Sequence, residues 1–131
     1  MKYLHSMIRV KDIKEALKFY CDFIGLKLIN KYSLEDCDLY YVGEDENSCL
    51  IELTYNYNTP KEGYENGKAF GHFAFEVKDM EETAKKLKGM GYKFLYEPYE
   101  IDLKNEEGKI SHLKIAFIND PDGNEIELIE N

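Results

Sequence analysis

No stretch of this 131-residue chain stays apolar for anything like the ~20 residues that a membrane-spanning helix requires. Basic residues are scarce, 17 Lys and Arg against 26 Asp and Glu, which leaves a net charge of −9. Nucleic acid and anionic membrane surfaces are bound by neutralising phosphates with Lys and Arg, so this balance argues against both as partners. It also demands that any small anionic substrate be held by a local positive group or a cation. The cysteines, Cys21, Cys37 and Cys49, are odd in number and form no CxxC pair. That speaks against a disulfide framework or a zinc–thiolate site and predicts reduced thiols in a cytoplasm. The opening Met1-Lys2-Tyr3-Leu4-His5 passes straight into a strand pattern without the apolar core of a signal peptide. Within these limits, 44% hydrophobic and 33% charged residues describe a soluble globular domain, 1–131, with length for one core.

What the chain does contain is a repeat. His5 precedes Val10-Lys11-Asp12 at the same distance at which His72 precedes Val77-Lys78-Asp79. Ile51-Glu52-Leu53 near the end of the first half returns as Ile126-Glu127-Leu128 at the end of the second. Each half, repeat 1 (1–55) and repeat 2 (69–131), offers one histidine on its opening strand and one glutamate on its closing strand. Residues 56–68, rich in Asn, Tyr, Gly and Lys, read as the linker.

Both halves follow one plan. Residues 4–10 alternate as a strand, and Asp12-x-x-Glu15 has capping-box spacing at a helix start. Ile13, Ala16, Leu17, Tyr20 and Ile24 then mark one apolar helix face, closed by Gly25. Strands are predicted at residues 27–32, 38–42 and 48–55. In the second half, a strand at 71–77 leads to an Asp79-x-x-Glu82 cap and a helix with Met80, Ala84 and Leu87 inward. Strands at 92–96, 113–118 and 124–130 follow, the last entered through the turn Asp120-Pro121-Asp122-Gly123. The glutamates lie further apart than the histidines, and the polar residues 97–109 read as an inserted loop that takes up the excess. The expected fold is α+β, two tandem β-α-β-β-β modules.

Strand alternation assigns the faces. His5, Met7 and Arg9 oppose Ser6, Ile8 and Val10; Glu52, Thr54 and Asn56 oppose Ile51, Leu53 and Tyr55. His72 and Glu127 likewise lie opposite Phe73, Phe75 and Val77, and Ile126 and Leu128. The apolar faces must cover the helices, so the His and Glu side chains line the other, concave side. Two imidazoles and two carboxylates suit a divalent Ni²⁺, Co²⁺, Zn²⁺, Mn²⁺ or Fe²⁺ ion, and four protein ligands on a six-coordinate ion leave two open positions. Ordinary strand histidines and solvated glutamates would account for one such pair but not for its recurrence. His112 has no counterpart in the repeat and reads as a surface residue, and the eleven tyrosines as packing.

At these residues the chain resembles the vicinal oxygen chelate superfamily, whose members are paired β-α-β-β-β modules around a metal. Within it the chain is similar to the glyoxalase I (lactoylglutathione lyase) family. The likeness runs nearly end to end: residues 4–10, Phe19-Tyr20, Gly25-Leu26-Lys27-Leu28, Ile51-Glu52-Leu53-Thr54-Tyr55-Asn56, Phe70-Gly71-His72, Asp120-Pro121-Asp122-Gly123 and Ile126-Glu127-Leu128-Ile129. The resemblance implies metal ligands His5, Glu52, His72 and Glu127, and glutathione contacts at Arg9 and Asn56. It implies isomerisation of the methylglyoxal–glutathione hemithioacetal, with Glu127 as the base and Glu52 a candidate for the opposite step. The short chain resembles the nickel- and cobalt-activated class more than the zinc-preferring one, and a homodimer is implied. Residues 97–109 depart from the short bacterial pattern.

Alternatives from the same architecture are a thioester epimerase, an extradiol dioxygenase and a non-catalytic small-molecule-binding protein. A dioxygenase needs two histidines and one carboxylate on Fe²⁺, and the second glutamate here argues against it. A sequestering protein has no need of four ligands.

Overall fold

The alternation of residues 4–10 is realised as strand β1 (His5–Arg9), in which Ile8 turns inward and His5, Met7 and Arg9 face out. The computed structural model describes all 131 residues, which divide into the units Met1–Asn66 and Gly67–Asn131. In the first, β1 is followed by α1 (Ile13–Leu17), β2 (Lys27–Ser33), β3 (Cys37–Gly43) and β4 (Leu50–Asn56). In the second come β5 (His72–Glu76), α2 (Met80–Gly89), β6 (Phe94–Lys104), β7 (Ile110–Asn119) and β8 (Glu125–Glu130). The sheets have the orders β1-β4-β3-β2 and β5-β8-β7-β6, with β1–β4 and β5–β8 parallel and the remaining pairs antiparallel. This is the expected α+β architecture of two β-α-β-β-β modules. No helix is long and apolar enough to cross a membrane.

The helix starts follow their caps. Asp12 accepts from the N–H groups of Lys14 and Glu15 at 3.0 and 3.2 Å, and Asp79 from that of Glu82 at 3.0 Å. Each satisfies donors that the first turn leaves without an intrahelical partner. The first helix departs from its expected form. Its α-helical part ends at Leu17 and continues as a π-helical turn, Lys18–Phe23, with the Ile24 N–H bonded to the Phe19 carbonyl at 2.9 Å. The wider turn rotates Phe19 and Phe23 into the core beside Tyr20 and leaves Ile24 half-buried. Ring contacts at 5.1 Å (Phe19–Tyr20) and 5.6 Å (Phe19–Phe23) favour that arrangement over a regular ladder.

Each core lies between a helix and one sheet face. Val10 and Leu53 are fully buried in the first unit, as are Met80, Leu87, Ile126 and Leu128 in the second. Each such side chain contributes about 1.5–3 kcal/mol of burial free energy.

Residues 97–109 are not a loop. β6 runs on to Lys104 and β7 starts at Ile110, so the segment lengthens a hairpin whose turn is closed by Asn105 and Lys109. Charge hides the alternation: Tyr99, Ile101 and Leu103 share one face, Glu100, Asp102 and Lys104 the other. Across the strands Glu100 then lies opposite Lys114, and Asp102 opposite His112. The register shifts between Tyr96 and Tyr99, and this irregularity accommodates Pro98, which has no N–H for the ladder.

Candidate metal centre

Parallel pairing of first and last strands puts a histidine and a glutamate together in each unit. His5 lies opposite Leu50 and Met7 opposite Glu52; in the second unit His72 lies opposite Glu125 and Ala74 opposite Glu127. The registers are equivalent, and the contacts match: His5 Nε2 is 3.5 Å from Glu52 Oε1, and His72 Nε2 is 3.1 Å from Glu127 Oε2. The imidazoles are 37% and 42% exposed while the carboxylates are 11% and 16% exposed. A ligand arriving from solvent therefore meets a ring nitrogen backed by a carboxylate oxygen. Such nitrogen and oxygen donors suit a divalent first-row ion, so the residues present fit the expected metal. Each unit holds one such pair, and no cluster of three or more His, Cys, Asp or Glu donors occurs.

Aromatic side chains from the third strand across each sheet pack against the rings. Tyr41 on β3 meets His5 edge-on at 5.2 Å, and Phe117 on β7 meets His72 at 5.6 Å. Glu52 has further partners: the Tyr41 hydroxyl donates to Oε1 at 2.5 Å and the Thr54 hydroxyl to Oε2 at 2.7 Å. Donation to the Glu52 carboxylate, with burial and that negative charge adding, pushes the Tyr41 phenol up to about 12. Tyr41 therefore remains a protonated donor throughout the neutral range.

Arg9 and Asn56 stand at the ends of β1 and β4, on the face that carries His5 and Glu52. Arg9 lies opposite Thr54 and is exposed; Asn56 is half-buried, and its side-chain oxygen accepts from Tyr64 at 3.4 Å. At the opposite end of the face, an open cleft of about 300 Å³ beside His5 is lined by Lys2, Tyr3, Tyr32, Tyr41 and Leu50. His112 is apart from both pairs, exposed on the hairpin with Nδ1 2.5 Å from Asp102 Oδ1.

Sequence reasoning missed Tyr41 and Thr54 as partners of Glu52. Thr54 was within reach, since it sits two residues along the same strand face. Tyr41 depends on the β3–β4 register, which sets it directly opposite Glu52.

The model of the Glyoxalase/Bleomycin resistance protein/Dioxygenase superfamily matches residues 2–128 of the chain. The chain is 42% identical over 137 residues to a probable lactoylglutathione lyase of Synechocystis sp., covering 99% of this chain and 95% of that protein. To the lactoylglutathione lyase of Neisseria meningitidis it is 35% identical over 136 residues, covering 99% and 91%. Among solved structures, glyoxalase I from Zea mays is similar with a TM-score of 0.82 at 34% identity, over 99% of this chain and 44% of that longer one. The trypanothione-dependent glyoxalase I of Leishmania major gives a TM-score of 0.76 at 31% identity, over 99% and 86%.

Proposed function

This chain belongs to the Glyoxalase/Bleomycin resistance protein/Dioxygenase superfamily, and from that membership we propose that it is a metal-dependent lactoylglutathione lyase. It isomerises the hemithioacetal of methylglyoxal and glutathione to S-lactoylglutathione, a carbon–sulfur lyase activity that removes methylglyoxal. The observation that carries the reading is the repeated His–Glu pair, set at equivalent registers in two units.

His5, Glu52, His72 and Glu127 would hold the ion through two imidazole nitrogens and two carboxylates. When bound, it supplies Lewis-acid polarisation of the substrate oxygens. Glu127 takes the proton from one substrate carbon and returns it to the neighbouring carbon, as a general base that becomes the acid. Glu52, its repeat partner, is the candidate for the opposite step. Arg9 supplies the positive charge that a chain of net charge −9 needs to hold an anionic thiol conjugate, and Asn56 adds a hydrogen-bonding amide on the same face.

The native ion is read as Ni²⁺ or Co²⁺ in preference to Zn²⁺, a reading that rests on resemblance to that class. A homodimer is proposed from the resemblance to the glyoxalase I family; each unit holds two of the four donors, so the set is completed either by the two units of one chain or by units of two copies. Three unpaired thiols fit a cytoplasmic location.

The test is turnover by the metal-stripped protein, followed by thioester absorbance, after adding Ni²⁺, Co²⁺, Zn²⁺ or Mn²⁺ separately. Rescue by Ni²⁺ or Co²⁺ with the glutathione hemithioacetal is expected. Rescue only with another thiol, such as trypanothione, would correct the substrate; metal binding with no turnover of any hemithioacetal would turn the reading to a thioester epimerase.

A further inference from the structure

The two half-sites match in every ring and differ in their hydroxyls. His5 meets Tyr41 at 79° and His72 meets Phe117 at 80°. Behind them Tyr32 backs Tyr41 at 5.9 Å, as Tyr96 backs Phe117 at 5.8 Å. Tyr41 lies directly opposite Glu52 and Phe117 directly opposite Glu127. Two residues beyond the glutamate stands Thr54 in one unit and Ile129 in the other. The first half-site therefore aims two hydroxyls at its carboxylate and the second none. Glu52 accepts on both oxygens, while Glu127 is met by His72 alone.

We propose that Tyr41 is a positioning residue that, with Thr54, fixes Glu52 as a stationary metal ligand, while Phe117 and Ile129 leave Glu127 free to reorient as the proton carrier. The inference rests on the metal-dependent isomerase reading above; what it adds is the side chains that hold Glu52, and it replaces the candidacy of Glu52 for the opposite step with a holding role. The physical argument is one of freedom. A carboxylate tied at both oxygens rotates only by breaking hydrogen bonds to a charged acceptor, the stronger kind. A carboxylate that serves two adjacent carbons in turn needs an open lone pair and room to turn. A purely structural role for the hydroxyls, satisfying the buried Glu52 carboxylate, would affect stability but not distinguish metal affinity from turnover.

Tyr41→Phe and Phe117→Tyr, each a change of one oxygen atom, test the assignment. Ni²⁺ affinity is measured by calorimetric titration of the metal-stripped protein, and thermal unfolding without metal reports the fold. Tyr41→Phe is expected to bind Ni²⁺ about tenfold more weakly, the scale at which partners of metal ligands act. Phe117→Tyr is expected to keep Ni²⁺ affinity while kcat falls about tenfold or more at nearly unchanged KM. Affinity within twofold of wild type in Tyr41→Phe, or wild-type kcat in Phe117→Tyr, would overturn the proposal. Should Tyr41→Phe unfold, Thr54→Val decides by the same affinity criterion. A wild-type protein that binds Ni²⁺ but turns over no hemithioacetal removes the function reading and leaves the affinity comparison decisive. A wild type that binds no divalent ion removes both.

Discussion

His72 Nε2 and Glu127 Oε2 are 3.1 Å apart although they come from the two ends of the second unit, joined by the parallel pairing of β5 with β8. Glu127→Gln keeps the shape of that pair and removes its basicity. We expect kcat to fall by about 10²–10⁴, the range of general acid–base catalysis, with the thermal midpoint nearly unchanged. Steady-state kinetics beside a melting curve checks this; kcat within threefold of wild type would show that another group moves the proton.

Sites shared between two copies would make a prediction that mixing can test. Inactive His5→Ala and His72→Ala chains, unfolded together and refolded, should regain activity, because one of the two sites in each mixed dimer draws its histidines from unmutated units. If all four ligands come from one chain, every site stays defective and the mixture remains as inactive as its parents.

Arg9→Ala should raise KM about tenfold with little change in kcat, since a contact to the non-reacting part of the substrate is made equally in ground and transition states. The wild-type KM should also rise with salt, as expected of an exposed guanidinium, and the variant should lose most of that dependence.

Asp120 sits buried in the turn before β8, accepting from the N–H groups of Asp122 and Asn124 at 2.9 and 2.8 Å and from the Asn124 side chain at 2.8 Å. Asp120→Ala removes the acceptor of these donors and should cost about 2–6 kcal/mol, at about 1–3 kcal/mol for each of the two buried Asn124 donors. Denaturant unfolding reads the loss directly.

Ser33 and Tyr57 both donate to Asp38, at 2.6 and 2.7 Å, and hold its carboxyl below the usual range, with burial opposing. A depressed carboxyl stabilises the fold above its unfolded value, and that contribution disappears as pH falls through the folded value. The midpoint difference between wild type and Tyr57→Phe should therefore be largest near neutrality and shrink as pH falls below the ordinary aspartate value of 3.8. A gap that widens on acidification would contradict this.

The strands bearing His5, Glu52, His72 and Glu127 were legible because ligand and core faces alternate along them, and the repeat made each half check the other. Asp12 and Asp79 announced the helix starts by cap chemistry. Three features were hidden. The π-helical turn at Lys18–Phe23 follows from how Phe19, Tyr20 and Phe23 pack, which a fixed 3.6-residue period cannot anticipate. The long hairpin was masked because Glu100, Asp102 and Lys104 look like loop residues until Lys114 and His112 are placed across from two of them. Tyr41 stayed unseen for a related reason, since nothing local to β3 reveals what it faces on β4.

The strand order β5-β8-β7-β6 places β8, last in sequence, in the interior of its sheet. The opening strand β5 has no lateral neighbour until β8 has been synthesised, so this pairing waits on contacts that are remote along the chain, the kind that form slowly. A nascent chain halted after β7 carries His72 on an unpaired strand and lacks Glu127 altogether. The second unit thus gains its sheet partner and its His–Glu pair together when β8 docks, whereas the first unit, with β4 already made, holds its own pair before then.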